Sequence, residues 1–267
     1  MTPRRPLAIL WRMIKGVLLD LAGVLYDADR PVPGAAGAVA RLRAAGLPLR
    51  FLTNSTRAPR RVLLEKLRGY GIDLTGEELF TPARAARDLL IARGLKPHLL
   101  IHPDLAEDFA DLPDTLGPGR ALVVGDAGRH FTYDALNAAF RVLDDGADFL
   151  ALAANRTFRD ADGALSMDAG AFVAALEYAS RQPPEILGKP AKPFFDAALA
   201  SMNLTPEEAV MIGDDAESDI AGALTAGLGQ AILVRTGKYR AGDETRTTPA
   251  ASHVADTVVQ AVAHILA

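Results

Sequence analysis

Short runs of branched apolar residues recur along this chain, and each breaks off in a polar residue or a glycine. The stretch Gly16-Val17-Leu18-Leu19-Asp20-Leu21-Ala22-Gly23-Val24-Leu25-Tyr26-Asp27 shows the pattern most sharply. Three apolar residues end in one carboxylate, and a small residue, a glycine and a second apolar pair follow. By length and branching, Val17 to Leu19 reads as a buried strand that presents Asp20 at its carboxyl end. Leu49 to Leu52 ends likewise in Thr53-Asn54-Ser55, Ala209 to Ile212 in Gly213-Asp214-Asp215, and Ala231 to Val234 in Arg235-Thr236-Gly237. Helical spacing fills the gaps between these runs. Strand, helix, strand, helix is the mark of a parallel sheet, so the expected class is α/β. In such sheets chemistry gathers outside the carboxyl ends of the strands.

In chain order, Pro31 to Gly34 is a loop, and Ala35 to Ala45 a helix closed by Gly46. Pro59 suits the first turn of a helix running to about Tyr70. From about Thr81 the rhythm restarts. Helices are expected at Ala83 to Ala92, Tyr133 to Leu143 and Ala171 to Ser180. Strands are expected at His98 to Ile101, Ala121 to Val124 and Phe149 to Ala153, with a turn at Asp160 to Gly163. Pro183-Pro184 closes this second α/β block. Helices from about Pro193 to Met202, from Ser218 to Ala226 and from Val258 follow, with a short strand at His253-Val254 and an exposed loop at Ala241 to Pro249. The expected organisation is a parallel-sheet core from 15–80 and 184–267, with a smaller α/β domain, 81–183, inserted in it.

The 267 residues suffice for one large domain or two moderate ones. A net charge of -4 argues against nucleic acid as the main partner, while leaving room for a small anionic substrate. There is no cysteine, which excludes disulfides, cysteine zinc sites and thiol catalysis and fits a cytoplasmic enzyme. No run approaches the ~18 apolar residues of a membrane span. Residues 1–14 read as an N-terminal extension rather than a signal peptide, because Arg12 and Lys15 interrupt the apolar stretch. Met13 is a candidate start.

Asp20, Thr53 with Asn54, Lys189 in Gly188-Lys189-Pro190, and Asp214, Asp215 and Asp219 form the chemical set. A carboxylate can attack phosphorus and form an aspartyl-phosphate. Attack by an anion on an anion needs charge neutralisation, which Mg²⁺ supplies through carboxylates, phosphate oxygens and waters. Asp20 and Asp214 can be those carboxylates, the main-chain carbonyl of Ala22 a further ligand, and Asp219 the group that orients a metal-bound water. Thr53 and the Asn54 N–H can donate to a transferring phosphoryl, and Lys189 adds positive charge. Singly, each has a plainer explanation. Asp20 can be a turn residue, Thr53-Asn54-Ser55 a helix cap, and Gly188-Lys189-Pro190 a turn. Asp215 and Asp219 can belong to a solvated helix start. The reading rests on all four sites in this order.

The order Asp20-Leu-Ala-Gly-Val, Thr53-Asn54, Gly188-Lys189-Pro190 and Gly213-Asp214-Asp215-x-x-x-Asp219 resembles the haloacid dehalogenase (HAD) superfamily. The long α/β insertion before the lysine resembles its subclass with a C2-type cap, which contains the NagD-like phosphatases. The block from Leu150 through Gly163 and Gly170 to Ala179 is similar to the phospholysine phosphatase type within that subclass. The resemblance implies a Rossmann-like core, a mobile cap, Mg²⁺ and an aspartate nucleophile. It gives Asp20, Thr53, Lys189, Asp214 and Asp219 the roles set out above, and it implies a homodimer through the cap.

Ala22 departs from the family pattern, which usually has a second aspartate there as general acid, worth roughly 10²–10⁴-fold. The phospholysine type also lacks an acid at that place. HAD phosphonatases carry alanine but use a cap lysine, for which Lys96 is the candidate here. A missing acid suits a leaving group that is good or self-protonating, such as that of pyrophosphate or a phosphoramidate. Asp27 and Asp215 are conceivable substitutes. His102 and His130, with Asp126, Arg156 and Arg159, lie on insertion loops that either read the leaving group or serve only as loops. The expected function is a Mg²⁺-dependent phosphatase acting on a small phosphorylated compound. The alternative is a weakly active or non-catalytic phosphate-binding homologue that has lost its acid at Ala22.

Overall fold

The computed structural model describes residues 14–159 and 164–267, and in it the chain forms two compact units. The first takes the chain through Thr53, Lys66–Phe80 and Lys189–Ala267; the second takes Asn54–Glu65 and Thr81–Gly188. Residues up to Met13 and the expected turn at Asp160 to Gly163 lie outside the described residues.

The first unit begins with β1 (Gly16–Asp20), a small antiparallel hairpin of β2 (Tyr26–Asp27) and β3 (Arg30–Pro31), β4 (Leu49–Leu52) and β5 (Leu79–Phe80). The second carries β6 (Lys96–Leu100), β7 (Arg120–Val124), β8 (Asp148–Ala151), an antiparallel hairpin of β9 (Thr157–Arg159) and β10 (Leu165–Met167), and β11 (Glu185–Ile186). The chain then returns with β12 (Ala209–Gly213), β13 (Gln230–Val234) and β14 (His253–Ala255).

In the first unit the sheet order is β14-β13-β12-β1-β4-β5, with every neighbouring pair parallel. All five residues of β1, of β12 and of β13 are buried. That is why these runs are continuously apolar rather than alternating. Burying one such leucine, Leu18 for instance, contributes about 1.5–3 kcal/mol and the side chain is fully enclosed. The helix Ala35–Ala44 buries Ala35, Ala38, Val39 and Leu42, the i, i+3, i+4, i+7 stripe of a helix lying on a sheet. It packs against Val258–Ile265. The strand order reverses at β1, with β4 on one side and β12 on the other. Asp20 pairs with Leu52 and Leu19 with Ile212, so Asp20, Thr53 and Asp214 leave the sheet at the same end.

The second unit is a parallel sheet of order β11-β8-β7-β6. Along β7, Leu122 and Val124 join a core with the helices Tyr133–Asp144 and Ala169–Ser180. Ala121 and Val123 join another with the helix Pro82–Arg93 and the turn Pro103–Phe109. The period of two along the strand thus produces two cores on opposite faces.

Two expectations need correction. The stretch from Ala241 to Pro249 is not all loop: Asp243–Arg246 is a short helix, entered through Gly242 at φ 98°. Asp243 is buried and its carboxylate accepts the Arg240 N–H at 2.8 Å, a contact too local for periodicity to reveal. The helix expected from Ser218 starts two residues earlier, as a wide π-type turn over Ala216–Ala221 capped by Asp215. The hairpins β2–β3 and β9–β10 were not legible, since strands of two or three residues carry no period.

Candidate active site

Asp20 ends β1, Asp214 follows β12, and Asp219 lies in the wide turn beyond it. Lys189 opens the return of the chain from the second unit. These four side chains meet, each between 1% and 7% exposed. Lys189 Nζ donates to Asp20 Oδ1, lies 2.7 Å from Asp219 Oδ1 and 3.4 Å from the Leu52 carbonyl. Asp20, Asp214 and Asp219 each offer a carboxylate oxygen, and these oxygens lie within 4.8 Å of one another.

The local fold explains how three like charges come so close. Asp219 Oδ2 accepts the Asp215 N–H at 3.1 Å, and both Asp219 and Ile220 donate their N–H to the Asp215 carbonyl. This double use of one carbonyl widens the turn, a feature common at functional sites. Asp214 Oδ2 accepts the Lys238 N–H at 2.7 Å. Its carboxylate lies between two glycines. A Cβ on Gly23 would come within 2.0 Å of Asp214 Oδ2, and one on Gly237 within 2.1 Å; both residues have positive φ, 82° and 63°. Thr236 Oγ1 donates to the Gly23 carbonyl and ties the two loops together. In the turn after Asp20, the Leu21 carbonyl accepts the N–H groups of Val24, Leu25 and Tyr26.

Burial raises the Asp214 carboxyl well above the usual carboxylate range, and the charges of Asp20 and Asp219 push the same way. Burial likewise pushes Asp219 up to about 6, against the pull of Lys189. For Lys189, desolvation favours the neutral amine, but Asp20 and Asp219 outweigh it and hold the lysine charged. Three buried carboxylates therefore face one buried ammonium. Hard oxygen donors with surplus negative charge are what a small divalent cation takes, so the residues present fit Mg²⁺.

Thr53 is buried beside this cluster in sequence register, following Leu52, and its N–H donates to the Phe80 carbonyl at 3.1 Å. Asn54 belongs to the second unit, where its Oδ1 packs against Gly188; a Cβ there would lie 2.6 Å away. Ala22 is exposed and bridges to Tyr26, and its methyl brings no acid. The two candidate substitute acids sit in different surroundings. Asp27 is exposed in β2. Asp215 caps the Glu217 and Ser218 N–H groups and pairs with Lys238 at 3.2 Å. Burial alone would raise its pKa, but Lys238 and the Ser218 N–H bring it below the ordinary value. Such a group keeps no proton to donate.

In the second unit, Lys96 stands at the amino end of β6, opposite the end from which the chain runs to Lys189. His102 and His130 meet edge to face, ring centroids 6.2 Å apart, and His102 Nδ1 accepts the Asp104 N–H. Sequence reading missed Gly23 and Gly237 as the walls around Asp214, and missed Lys238 as its amide donor. The one available signal was the loop Arg235-Thr236-Gly237 at the end of an apolar run.

The parallel sheet, with an aspartate ending its central strand and a lysine and two aspartates gathered on it, defines a HAD-type hydrolase. The chain belongs to the haloacid dehalogenase-like hydrolase family, whose pattern matches residues 17–113, with the HAD-hydrolase-like pattern matching 186–261; it falls in the NagD-like subclass IIA. It is 45% identical to haloacid dehalogenase-like hydrolase domain-containing protein 2 of Rattus norvegicus, over 96% of this chain and 97% of that protein. It is 42% identical to phospholysine phosphohistidine inorganic pyrophosphate phosphatase of Danio rerio, over 96% of this chain and 95% of that one. Among solved structures, NagD from E. coli K-12 superposes with a TM-score of 0.81 at 28% identity, over 92% of this chain and 98% of that one.

Proposed function

We propose that this hydrolase is a cytoplasmic, Mg²⁺-dependent phosphatase that cleaves a small phosphorylated substrate through an aspartyl-phosphate at Asp20, with residues 81–183 as its cap domain. One observation carries the reading: Asp20 is buried against a charged Lys189, with the Asp214 and Asp219 carboxylates close by. Asp20, Asp214 and the Ala22 carbonyl would hold the cation, with Asp219 orienting one of its waters. The bound cation supplies the charge neutralisation that lets a carboxylate approach a phosphoryl group.

The rest falls to the protein's own groups. An Asp20 oxygen attacks phosphorus as the bond to the leaving group breaks. Lys189 stays cationic and offsets the charge of the attack. The Thr53 hydroxyl and the Asn54 N–H donate to the equatorial oxygens. Water then attacks the aspartyl-phosphate at phosphorus, releasing phosphate and restoring Asp20. With Ala22 and the capped Asp215 unable to protonate a leaving group, the favoured substrates are those whose leaving group is good or brings its own proton, such as pyrophosphate and phosphoramidates. Phosphomonoesters of poor leaving groups turn over more slowly. One relative is named for a phospholysine, phosphohistidine and pyrophosphate activity, which agrees with that order.

The test is phosphate release from pyrophosphate, phospholysine and p-nitrophenyl phosphate, with Mg²⁺ and with EDTA, against Asp20→Asn. Turnover that needs Mg²⁺ and falls at least ~10³-fold in the variant supports the mechanism. If no substrate exceeds the Asp20→Asn background, the chain is instead a phosphate-binding homologue.

A further inference from the structure

We propose that Asp126 is a positioning residue for the loop that carries Thr53 and Asn54, acting through Thr56 and Arg57; this rests on the function proposed above. β4 ends at Leu52 and the next helix begins at Arg60, so the residues between them have no continuous ladder to satisfy their backbone. From Asn54 on, this segment belongs to the second unit and is fastened within it. The Asp126 N–H donates to the buried Thr56 Oγ1 at 2.9 Å. Arg57 Nε donates to Asp126 Oδ2, and Asp126 Oδ1 accepts the Gly128 N–H at 3.0 Å. Both carboxylate oxygens are thus engaged, on a residue 6% exposed. The Arg57 guanidinium also lies 4.5 Å from the centre of the Phe158 ring, which fixes its plane. At the far end, both oxygens of Asp108 accept the Arg60 N–H at 3.1 Å.

Asp126 therefore grips the chain two and three residues after Asn54, the last proposed phosphoryl donor. A donor that works only in the transition state has to be held in place beforehand. Displacing such a group by 1 Å can cost about 10²-fold in rate. In the sequence, position 126 follows a strand and a glycine and offers either leaving-group recognition or a plain loop, not a grip on the chain after Asn54.

The test uses the full chain with Mg²⁺ and p-nitrophenyl phosphate. Asp126→Ala is expected to lower kcat about 10- to 100-fold with KM within about twofold, and to speed amide exchange across residues 54–59. Adding Thr53→Ala should cost no more than the worse single change, because both remove the same donor. Unchanged kcat and exchange in Asp126→Ala, or a double variant whose loss equals the product of the singles, overturns the proposal. Asp126→Asn keeps the size and the Gly128 bond, so it reads the Arg57 pair if the alanine variant does not fold. A loss of about 3- to 10-fold is expected there, and wild-type kcat refutes the role of the pair. Asp20→Asn serves as the control: if it turns over like the wild type, the function fails first and the role of Asp126 falls with it.

Discussion

Replacing Lys189 with methionine tests the charge balance of the site directly. Methionine matches the lysine stem in length and leaves little cavity. It removes the one buried ammonium that touches Asp20 and lies 2.7 Å from Asp219. Breaking a buried ion pair from one side costs about 3–5 kcal/mol. Protonation offers an escape, and its cost depends on pH. Placing a proton at pH 8 on a carboxyl whose unfolded pKa is about 4 costs ~1.4 kcal/mol for each of four units, or ~5.5 kcal/mol; at pH 5 it costs only ~1.4 kcal/mol. A carboxyl whose folded pKa lies above its unfolded value contributes stability at low pH and loses it as pH rises through the folded value. Asp219 is already at about 6 with the lysine present, so the escape is easy at pH 5 and closed at pH 8. The expected deficit of Lys189→Met is therefore about 3–5 kcal/mol at pH 8 and about 1–2 kcal/mol at pH 5. At about 2–4 °C per kcal/mol, the melting point of the first unit should fall by about 6–20 °C at pH 8, and by much less at pH 5. Circular dichroism melts in EDTA read both values, and added Mg²⁺ should narrow the gap at pH 8. An equal deficit at both pH values, or none at pH 8, refutes the account of the buried charges.

Three further outcomes follow from the same geometry. Ala22→Asp should raise turnover of an alkyl phosphate such as glycerol phosphate about 10²-fold and leave pyrophosphate little changed, since it restores a proton for the leaving group; equal effects on both substrates in steady-state assays would contradict this. Gly237→Ala puts a methyl 2.1 Å from Asp214 Oδ2 at φ 63°. It should weaken Mg²⁺ binding by calorimetry and cost about 1–3 kcal/mol of stability; wild-type Mg²⁺ affinity would mean that Asp214 is not walled as described. His253 and His264 stack with ring centroids 3.8 Å apart. Desolvation, and then His253, lower the His264 pKa. A histidine lowered in the folded state loses stability as pH falls below its unfolded value of about 6.5. His253→Asn should flatten the loss of melting temperature between pH 7 and pH 5, and a steeper loss would count against the pairing.

Asp20, Lys189 and the Asp214–Asp219 group were legible because each interrupts an apolar pattern or stands at its end, where charge is costly unless used. Gly46 was legible as a helix stop, and it adopts φ 75° as that role requires. The hairpin strands, the helix at Asp243–Arg246 and the early start at Ala216 were not. Each is set by a contact within a few residues, too short to produce a period. Lys238 was invisible for a different reason. It matters through its backbone N–H on Asp214, and a backbone donor leaves no trace in residue type.

The order of apolar runs and the residues that end them determined, from the sequence alone, an α/β parallel sheet and a set of carboxylates and one lysine suited to phosphoryl chemistry. The tertiary structure decided which of those groups meet. The strand order places β12 and β4 on either side of β1, and only that adjacency brings Asp214 to Asp20. It also decided that Asp215 is a cap held by Lys238 rather than a spare acid, and that Asp126, far from the motifs, fastens the loop after Thr53. Hydrophobic period is a property of neighbours in sequence and survives in the string. Pairing, burial and charge coupling are properties of neighbours in space, which the chain acquires only on folding.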